Sequence, residues 1–163
     1  MKKIGIISDT HGYINPKLYD FLKEVDEIWH AGDIGSMEVV YELEAFKPLI
    51  AVHGNIDDYE MQRKFPEFQR FTCESVDVLI THIGGYPTKY EEKVKQILIS
   101  NPPKLFISGH SHILKVINDK KYNLLHINPG AAGNRGMHNI VTMIRLVIDG
   151  SIMKDLEILE LER

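Results

Sequence analysis

The sequence predicts an α/β fold in which two β-sheets pack against each other and helices cover the outside. In the first two thirds of the chain, short runs rich in Ile and Val alternate with helical patterns, as they do in βαβ units. In the last third, strand-like runs are joined by short polar turns, which is typical of a β-meander. A two-sheet sandwich with external helices accommodates both parts.

Three helices are expected. The first begins at Asn15 and Pro16, because Asn is a good cap and Pro fits the first helical position. Ser36 is a cap for the second helix, which Pro48 ends. The third has its apolar residues at helical spacing within the segment Tyr90–Leu98.

Strands are expected where β-branched and apolar residues form short runs between turn signals. The first part of the chain contributes the runs at residues 3–8, 27–30, 49–53, 71–74, 76–81 and 104–108. The last part contributes those at residues 112–118, 122–127, 140–148 and 152–159. The final two are joined by Asp149 and Gly150, a common hairpin dipeptide.

Length and composition fit one compact domain that spans residues 1–163. The chain is 44% hydrophobic and 26% charged, so we expect an ordinary core; its net charge of −4 argues against nucleic-acid binding through a basic surface. The single cysteine, Cys73, excludes an intrachain disulfide.

No apolar run reaches the roughly 18 residues of a membrane helix, and the N-terminal run is too short for a secretory signal. We therefore expect a cytoplasmic protein without a membrane partner.

Polar side chains of metal-binding type follow five of the predicted strands. They are Asp9, His11, Asp33, Asn55, His82, His110 and His112. Because ligands in open α/β sheets bind beyond the carboxyl ends of the strands, we expect these residues to form one site. Asp9 and His11 are separated by one residue, as are His110 and His112, so each pair would point to one side of an extended backbone.

The residue types indicate a catalytic metal centre. They offer carboxylate, amide and imidazole groups but no thiolate, which disfavours a structural zinc site and suits Mn, Fe, Co, Ni, Zn or Mg. Seven ligands are too many for one tetrahedral ion and fit two octahedral ions that share a carboxylate. Pairs of metal ions are a means of hydrolysing phosphate esters. Any one of these short motifs often occurs by chance in unrelated sequences. Chance is a poor explanation for all seven residues in this order at the ends of five predicted strands.

Taken together, the motifs resemble those of the calcineurin-like metallophosphoesterases, in their compact bacterial and archaeal phosphodiesterase branch. The family pattern is D-x-H, G-D, G-N-H-D/E, H and G-H-x-H. Here it stands as Asp9-x-His11, Gly32-Asp33, Gly54-Asn55-Ile56-Asp57, His82 and Gly109-His110-x-His112. The resemblance implies a four-layer α/β/β/α sandwich of two mixed sheets flanked by helices. It also implies one metal held by Asp9, His11, Asp33 and His112, and a second held by Asp33, Asn55, His82 and His110, with Asp33 bridging.

The implied activity is that of a phosphodiesterase, in which a hydroxide that bridges two divalent ions attacks phosphorus. Asp33, Asn55 and His82 have catalytic roles in this scheme. Manganese is the expected metal, with nickel, iron, cobalt, zinc or magnesium as alternatives. The expected partner is a small phosphate ester, and an exposed edge of the C-terminal meander could pair two copies into a homodimer.

Two other functions stay open. One is phosphomonoesterase activity on the same centre. The other is a protein-binding scaffold, as in the small retromer subunit, a branch of this fold in which the metal site is degraded. All seven ligand positions are intact here, which favours an enzyme.

The sequence departs from the family pattern at Ile56. The larger family has a His there that can protonate the leaving oxygen, whereas Ile cannot transfer a proton. The compact branch commonly lacks this His. His53 shares a side of the predicted strand with Asn55 and could take over the role. In the glycine-rich segment 130–136, Arg135 could pair with the phosphate.

Overall fold

The computed structural model describes residues 1–163, which form twelve strands and four helices. In chain order the elements are β1 (Lys2–Ile7), α1 (Lys17–Phe21), β2 (Glu27–His30), α2 (Met37–Phe46), β3 (Leu49–Ala51), α3 (Tyr59–Lys64), β4 (Phe68–Cys73), β5 (Val76–Thr81), β6 (Gly85–Tyr86), β7 (Lys89–Tyr90), α4 (Glu92–Ser100), β8 (Leu105–Ile107), β9 (Lys115–Asp119), β10 (Leu124–Asn128), β11 (Ile140–Asp149) and β12 (Ile152–Glu162). None of the helices combines the length and the apolar character needed to span a bilayer.

The strands form two five-stranded mixed sheets and a separate β6–β7 ribbon. The first sheet has the order β12-β11-β1-β2-β3; β1, β2 and β3 are parallel, and β11 is antiparallel to both of its neighbours. The second has the order β4-β5-β8-β10-β9, in which the three central strands are parallel and each edge strand is antiparallel to its neighbour.

Three apolar clusters define four layers. Between the sheets, Ile6 and Ile144 of the first sheet belong to the same buried cluster as Ile80 of the second. Helices α1, α2 and α3 cover the outer face of the first sheet, where Leu43 is fully buried. Helix α4 covers the outer face of the second through residues such as Val94. This arrangement confirms the α/β/β/α sandwich that the family resemblance implies.

The helices agree with the sequence in part. At the start of α2, Ser36 Oγ accepts a hydrogen bond from the backbone N–H of Val39 (3.4 Å), which is the predicted cap. Helix α1 is only five residues long. Helix α3 was not predicted, because six residues are too few to show a helical period. Its sequence signal is Asp58, whose Oδ1 accepts from the N–H of Met61 (3.0 Å).

The last third of the chain is two hairpins on different sheets, not a single meander. The β9–β10 hairpin joins the second sheet beside β8, whereas the β11–β12 hairpin joins the first sheet beside β1. Turn residues identify each hairpin locally. They do not tell which strand the hairpin will lie beside, since that pairing joins segments that are far apart in the sequence.

The topology brings the carboxyl ends of β1, β2, β3, β5 and β8 to one edge of the sandwich. Backbone hydrogen bonds join the loops that follow these strands. The N–H of Asp9 donates to Gly32 O (3.0 Å) within the first sheet, and the N–H of Gly109 donates to His82 O (2.9 Å) within the second. Backbone hydrogen bonds alone therefore join the loop after β1 to the loop after β2, and the loop after β5 to the loop after β8.

His126, in β10, is a buried histidine on the outer face of the second sheet. Its ring stacks on Phe106 with centroids 5.3 Å apart, and its Nδ1–H donates to Phe106 O (3.2 Å). Burial lowers the pKa of His126 to about 4, from an ordinary value of 6.5. The folded state therefore holds the ring neutral, so the unfolded chain takes up a proton first as the pH falls.

We expect His126 to make folding sensitive to acid. Its neutral ring contributes stability that is fully present above pH 6.5 and is lost as the pH falls towards about 4. The loss is on the order of 3 kcal/mol, which the variant His126→Phe should not show. Urea unfolding of both proteins at pH 7 and pH 4.5 measures the difference. An equal loss of unfolding free energy in the two proteins would show that His126 does not contribute.

Candidate metal centre

Asp9 is fully buried at the end of β1, and its two carboxylate oxygens have different surroundings. Oδ2 accepts hydrogen bonds from Ser8 Oγ (2.6 Å) and from the N–H of His110 (3.1 Å). Oδ1 accepts none. It faces the Nε2 atoms of three histidines, at 3.2 Å from His112, 3.6 Å from His11 and 3.8 Å from His82. The hydrogen bonds to Oδ2 thus hold the carboxylate in place, and Oδ1 is left facing the three imidazole nitrogens.

Asp33 lies between two groups of potential ligands. The ligand atoms of Asp9, His11 and His112 are all within 4.8 Å of one another, and so are those of Asp33, His82 and His110. Asp33 Oδ2 is 3.1 Å from His82 Nε2 in its own group and 3.5 Å from His11 Nε2 in the other. Asp33 therefore has the position that a ligand shared by two ions requires.

The segment that follows β3 turns at Asn55 and Ile56, and this turn lies at the candidate centre. Asn55 lies in the turn after β3, and its Oδ1 is 3.1 Å from His110 Nδ1. The backbone at Gly54 passes so close to Asp33 that a Cβ there would overlap the carboxylate. The N–H of Ile56 donates to Asp33 Oδ1 (3.1 Å), while its side chain is 47% exposed. Ile56 thus contacts Asp33 through its backbone, while its side chain faces solvent.

Five of the seven predicted ligands have left-handed backbone conformations. The φ angles are +55° for Asp9, +47° for His11, +55° for Asp33, +72° for His110 and +62° for His112. The expectation that the two pairs lie in extended backbone is therefore wrong. Non-glycine residues rarely adopt this conformation, and each costs roughly 1 kcal/mol or more. The chain turns sharply at each of these residues, which is how side chains from separate strands converge.

Asp57 is a buried carboxylate whose role no local sequence pattern predicts. Its Oδ1 accepts from the N–H of Gly35 (2.8 Å), and its Oδ2 accepts from the N–H groups of Gly54 (2.8 Å) and Ile34 (3.2 Å). Asp57 thus fixes the loop of Asp33 to the loop of Asn55. The sequence shows only its place at the end of the Gly54–Asp57 motif.

His30 fixes a second pair of loops. Its Nδ1 accepts from the N–H of Gly32 (3.1 Å), so its Nε2 carries the proton and donates to Thr10 Oγ1 (2.9 Å). Thr10 Oγ1 in turn donates to Ile34 O (2.8 Å). Burial lowers the pKa of His30 to about 3, so the ring stays neutral. The segment between Asp9 and His11 is thereby joined to the loop of Asp33.

The unpartnered atoms of the centre fit divalent cations. Asp9 Oδ1, His11 Nε2 and His82 Nε2 are buried without a hydrogen bond. The Nδ1–H of His82 donates to Ala31 O (2.8 Å), so in the neutral ring the Nε2 lone pair faces the carboxylate of Asp33. Two acceptor atoms then face each other and need a positive charge between them. Burial lowers the pKa of His82, but the carboxylates of Asp33 and Asp9 outweigh it and raise that pKa, so a proton or a bound metal cation is favoured at this position.

Charge in the centre favours bound cations as well. Burial alone would raise the pKa of Asp9 and of Asp33, but the surrounding histidines outweigh it, and both carboxyls have a pKa below the ordinary range. The carboxylate of Asp9 raises the pKa of His11. The buried carboxylates thus stay ionised and attract positive charge.

The two remaining predicted site residues have different surroundings. His53 lines a cavity of about 200 Å³ together with Asn55 and His82. Its Nδ1–H donates to Phe65 O (2.8 Å), which leaves Nε2 free. Arg135 is exposed on the loop after β10, where it forms neither a hydrogen bond nor an ion pair. The structure brings His53 to the site and gives Arg135 no contact with it.

The sequence model of the calcineurin-like phosphoesterase superfamily domain matches residues 1–151. The chain belongs to this superfamily. A probable metallophosphoesterase from Methanothermobacter thermautotrophicus is 31% identical to it, over 78% of this chain and 76% of the relative. Members of the calcineurin-like phosphoesterase superfamily typically bind divalent metals, which agrees with the two ligand groups.

Solved structures show the same fold at low sequence identity. Vps29 from Chaetomium thermophilum is similar to this calcineurin-like phosphoesterase with a TM-score of 0.77 and 14% identity, covering 98% of this chain and 95% of that one. A structure described as a novel archaeal phosphodiesterase has a TM-score of 0.71 and 24% identity, covering 96% and 99%.

Proposed function

We propose that this calcineurin-like phosphoesterase is a phosphodiesterase that works with two divalent cations. The observation that carries the proposal is the place of Asp33, whose Oδ2 lies against His82 of one ligand group and His11 of the other. The proposed ligands are Asp9, His11, Asp33 and His112 for one ion and Asp33, Asn55, His82 and His110 for the second. Bound cations would supply Lewis-acid activation of a water molecule and of the phosphate oxygens.

The protein supplies orientation and a fixed charge. Hydrogen bonds from Ser8 and His110 hold the carboxylate of Asp9, and the carbonyl of Ala31 holds the ring of His82. Such partners keep ligands in one rotamer and, for histidine, in one tautomer. Asn55 is neutral, so it orients groups at the exposed side of the centre without adding a negative charge where a phosphate binds.

The side chains around the centre favour a diester over a monoester. A diester carries one negative charge, whereas a monoester carries nearly two at neutral pH. The cavity beside Asn55 and His82 has no lysine or arginine in its lining and includes Glu67. Arg135, the other candidate for phosphate binding, is exposed and forms no hydrogen bond or ion pair. The second charge of a monoester therefore finds no cationic side chain there.

Metal content and substrate preference test the proposal. Protein purified without chelators and then dialysed with manganese should contain two ions per chain by inductively coupled plasma mass spectrometry. It should hydrolyse bis(p-nitrophenyl) phosphate at least about 10-fold faster than p-nitrophenyl phosphate, because one charge less has to be accommodated. Treatment with EDTA should abolish both activities, and added manganese should restore them.

Each alternative function has its own result in these assays. A protein-binding scaffold would bind little metal and hydrolyse neither ester at any manganese, nickel, zinc or magnesium concentration. A monoesterase would show the reverse order of rates. Full activity after exhaustive EDTA treatment would contradict the use of metal ions altogether.

A further inference from the structure

We propose that His138 is a positioning residue for the metal centre. It holds His112 in the tautomer and orientation in which the Nε2 of His112 is free to bind a cation. His138 lies outside the predicted ligand set, on the loop between β10 and β11. The inference rests on the proposed function, because it takes His112 as a metal ligand.

Hydrogen bonds determine the tautomers of both rings. His138 Nε2 lies 2.9 Å from Gly133 O, and a carbonyl oxygen can only accept, so this nitrogen carries a proton. The neutral His138 ring then has an acceptor at Nδ1, which lies 3.1 Å from His112 Nδ1. His112 therefore donates from Nδ1, and its Nε2 has a free lone pair. That Nε2 is the atom 3.2 Å from Asp9 Oδ1.

The packing around the two rings fixes their orientation. They meet edge to face, with centroids 4.9 Å apart and an interplanar angle of 79°. Gly136, at φ +109°, lies against them; a Cβ there would come within 2.6 Å of His112 Nδ1 and 3.4 Å of His138 Nδ1. Arg163 donates to the carbonyl oxygens of Gly136 and His138 and so holds the loop from its other side.

His112 differs in this respect from His82. His82 donates from Nδ1 to the backbone oxygen of Ala31, an acceptor that no substitution removes. His112 instead depends on a side chain of another loop. Partners of this kind typically change metal affinity by about 10–100-fold when they are lost. Because His138 is not itself a proposed ligand, its effect can be measured with the ligand set intact.

Two substitutions separate orientation of His112 from simple support of the loop. His138→Asn places an acceptor oxygen near the position of Nδ1 and loses the contact with Gly133. His138→Gln can keep a donor for Gly133 O and loses the acceptor for His112. Met137→Gln, on the same loop at a side chain that is 98% exposed, is the matched control.

Manganese binding to the metal-free proteins, measured by isothermal titration calorimetry, tests the inference. Wild type, Met137→Gln and His138→Asn should bind two ions with Kd values within about 3-fold of one another. In His138→Gln one of the two sites should weaken by about 10–100-fold while the other is unchanged. Urea unfolding of each metal-free protein shows that the difference between the Asn and Gln variants does not arise from misfolding.

Other results have distinct meanings. If wild type binds two ions and His138→Gln binds them equally tightly, the positioning role is wrong and the proposed function stands. Equal weakening in the Asn and Gln variants would also overturn it, in favour of a role in holding the loop. If wild type itself binds no manganese, the proposed function fails and the inference fails with it.

Discussion

Replacing Asp33 by Asn should lower kcat/KM for bis(p-nitrophenyl) phosphate at least roughly 10³-fold, since it removes the charge shared between the two ligand groups. The amide keeps an acceptor for the N–H of Ile56, so the loop should stay in place. Its other end would face His82 Nε2, 3.1 Å from the lost oxygen, and His11 Nε2, 3.5 Å from it. Metal content per chain should fall in parallel with activity.

Asp77→Asn is the control for this experiment. Asp77 is on β5, and its carboxylate pairs with Arg70 at the surface of the second sheet. This variant should keep both metal ions and the wild-type rate. If Asp33→Asn keeps two ions and full activity, the bridging role of Asp33 is wrong; urea unfolding distinguishes that result from a change in folding.

Replacing His53 by Ala should slow the hydrolysis of an unactivated dialkyl phosphate by about 10²-fold and that of bis(p-nitrophenyl) phosphate by less than about 3-fold. The reason is that an alkoxide needs a proton to leave, whereas p-nitrophenolate does not. The His53 ring is fixed by its hydrogen bond to Phe65 O, and its Nε2 is free beside the cavity that Asn55 lines. In the protonated ring, this Nε2 carries a proton that it can give to the leaving oxygen, and the neutral ring then remains.

Gln62→Ala gives the matched comparison for His53. Gln62 lines the same cavity but has no titratable group. Its loss should affect the two substrates by the same factor, as a change in binding would. If His53→Ala also affects both substrates equally, the proton for the leaving group does not come from His53.

The seven clustered side chains could be predicted from the sequence because each stands where a predicted strand ends. Parallel strands have their carboxyl ends on one edge, so this order along the chain gives proximity in space. The β1 and β2 strands and the cap at Ser36 are equally local features, read from a few adjacent residues.

What the sequence could not predict depends on distant contacts. The role of Asp57 follows from three N–H groups, two of which lie 22 and 23 residues away. The contact of His138 with His112 joins two loops separated by 26 residues, and no local pattern distinguishes it from a polar turn. The pairing of the last two hairpins with different sheets is a further example. The strand beside which each hairpin lies depends on tertiary packing, not on the turn residues within the hairpin.

The left-handed backbone at five of the proposed ligands affects the free energy of unfolding of the metal-free chain. Glycine adopts positive φ without steric strain, whereas Asp and His at these five positions do not. The Asp and His side chains at these five positions therefore lower the stability of the metal-free chain, by on the order of 1 kcal/mol for each. Cations that bind only the folded form restore stability through mass action. If the proposed ions bind, folding and metal supply are thermodynamically linked, and a metal-starved cell would hold a larger unfolded fraction of this protein.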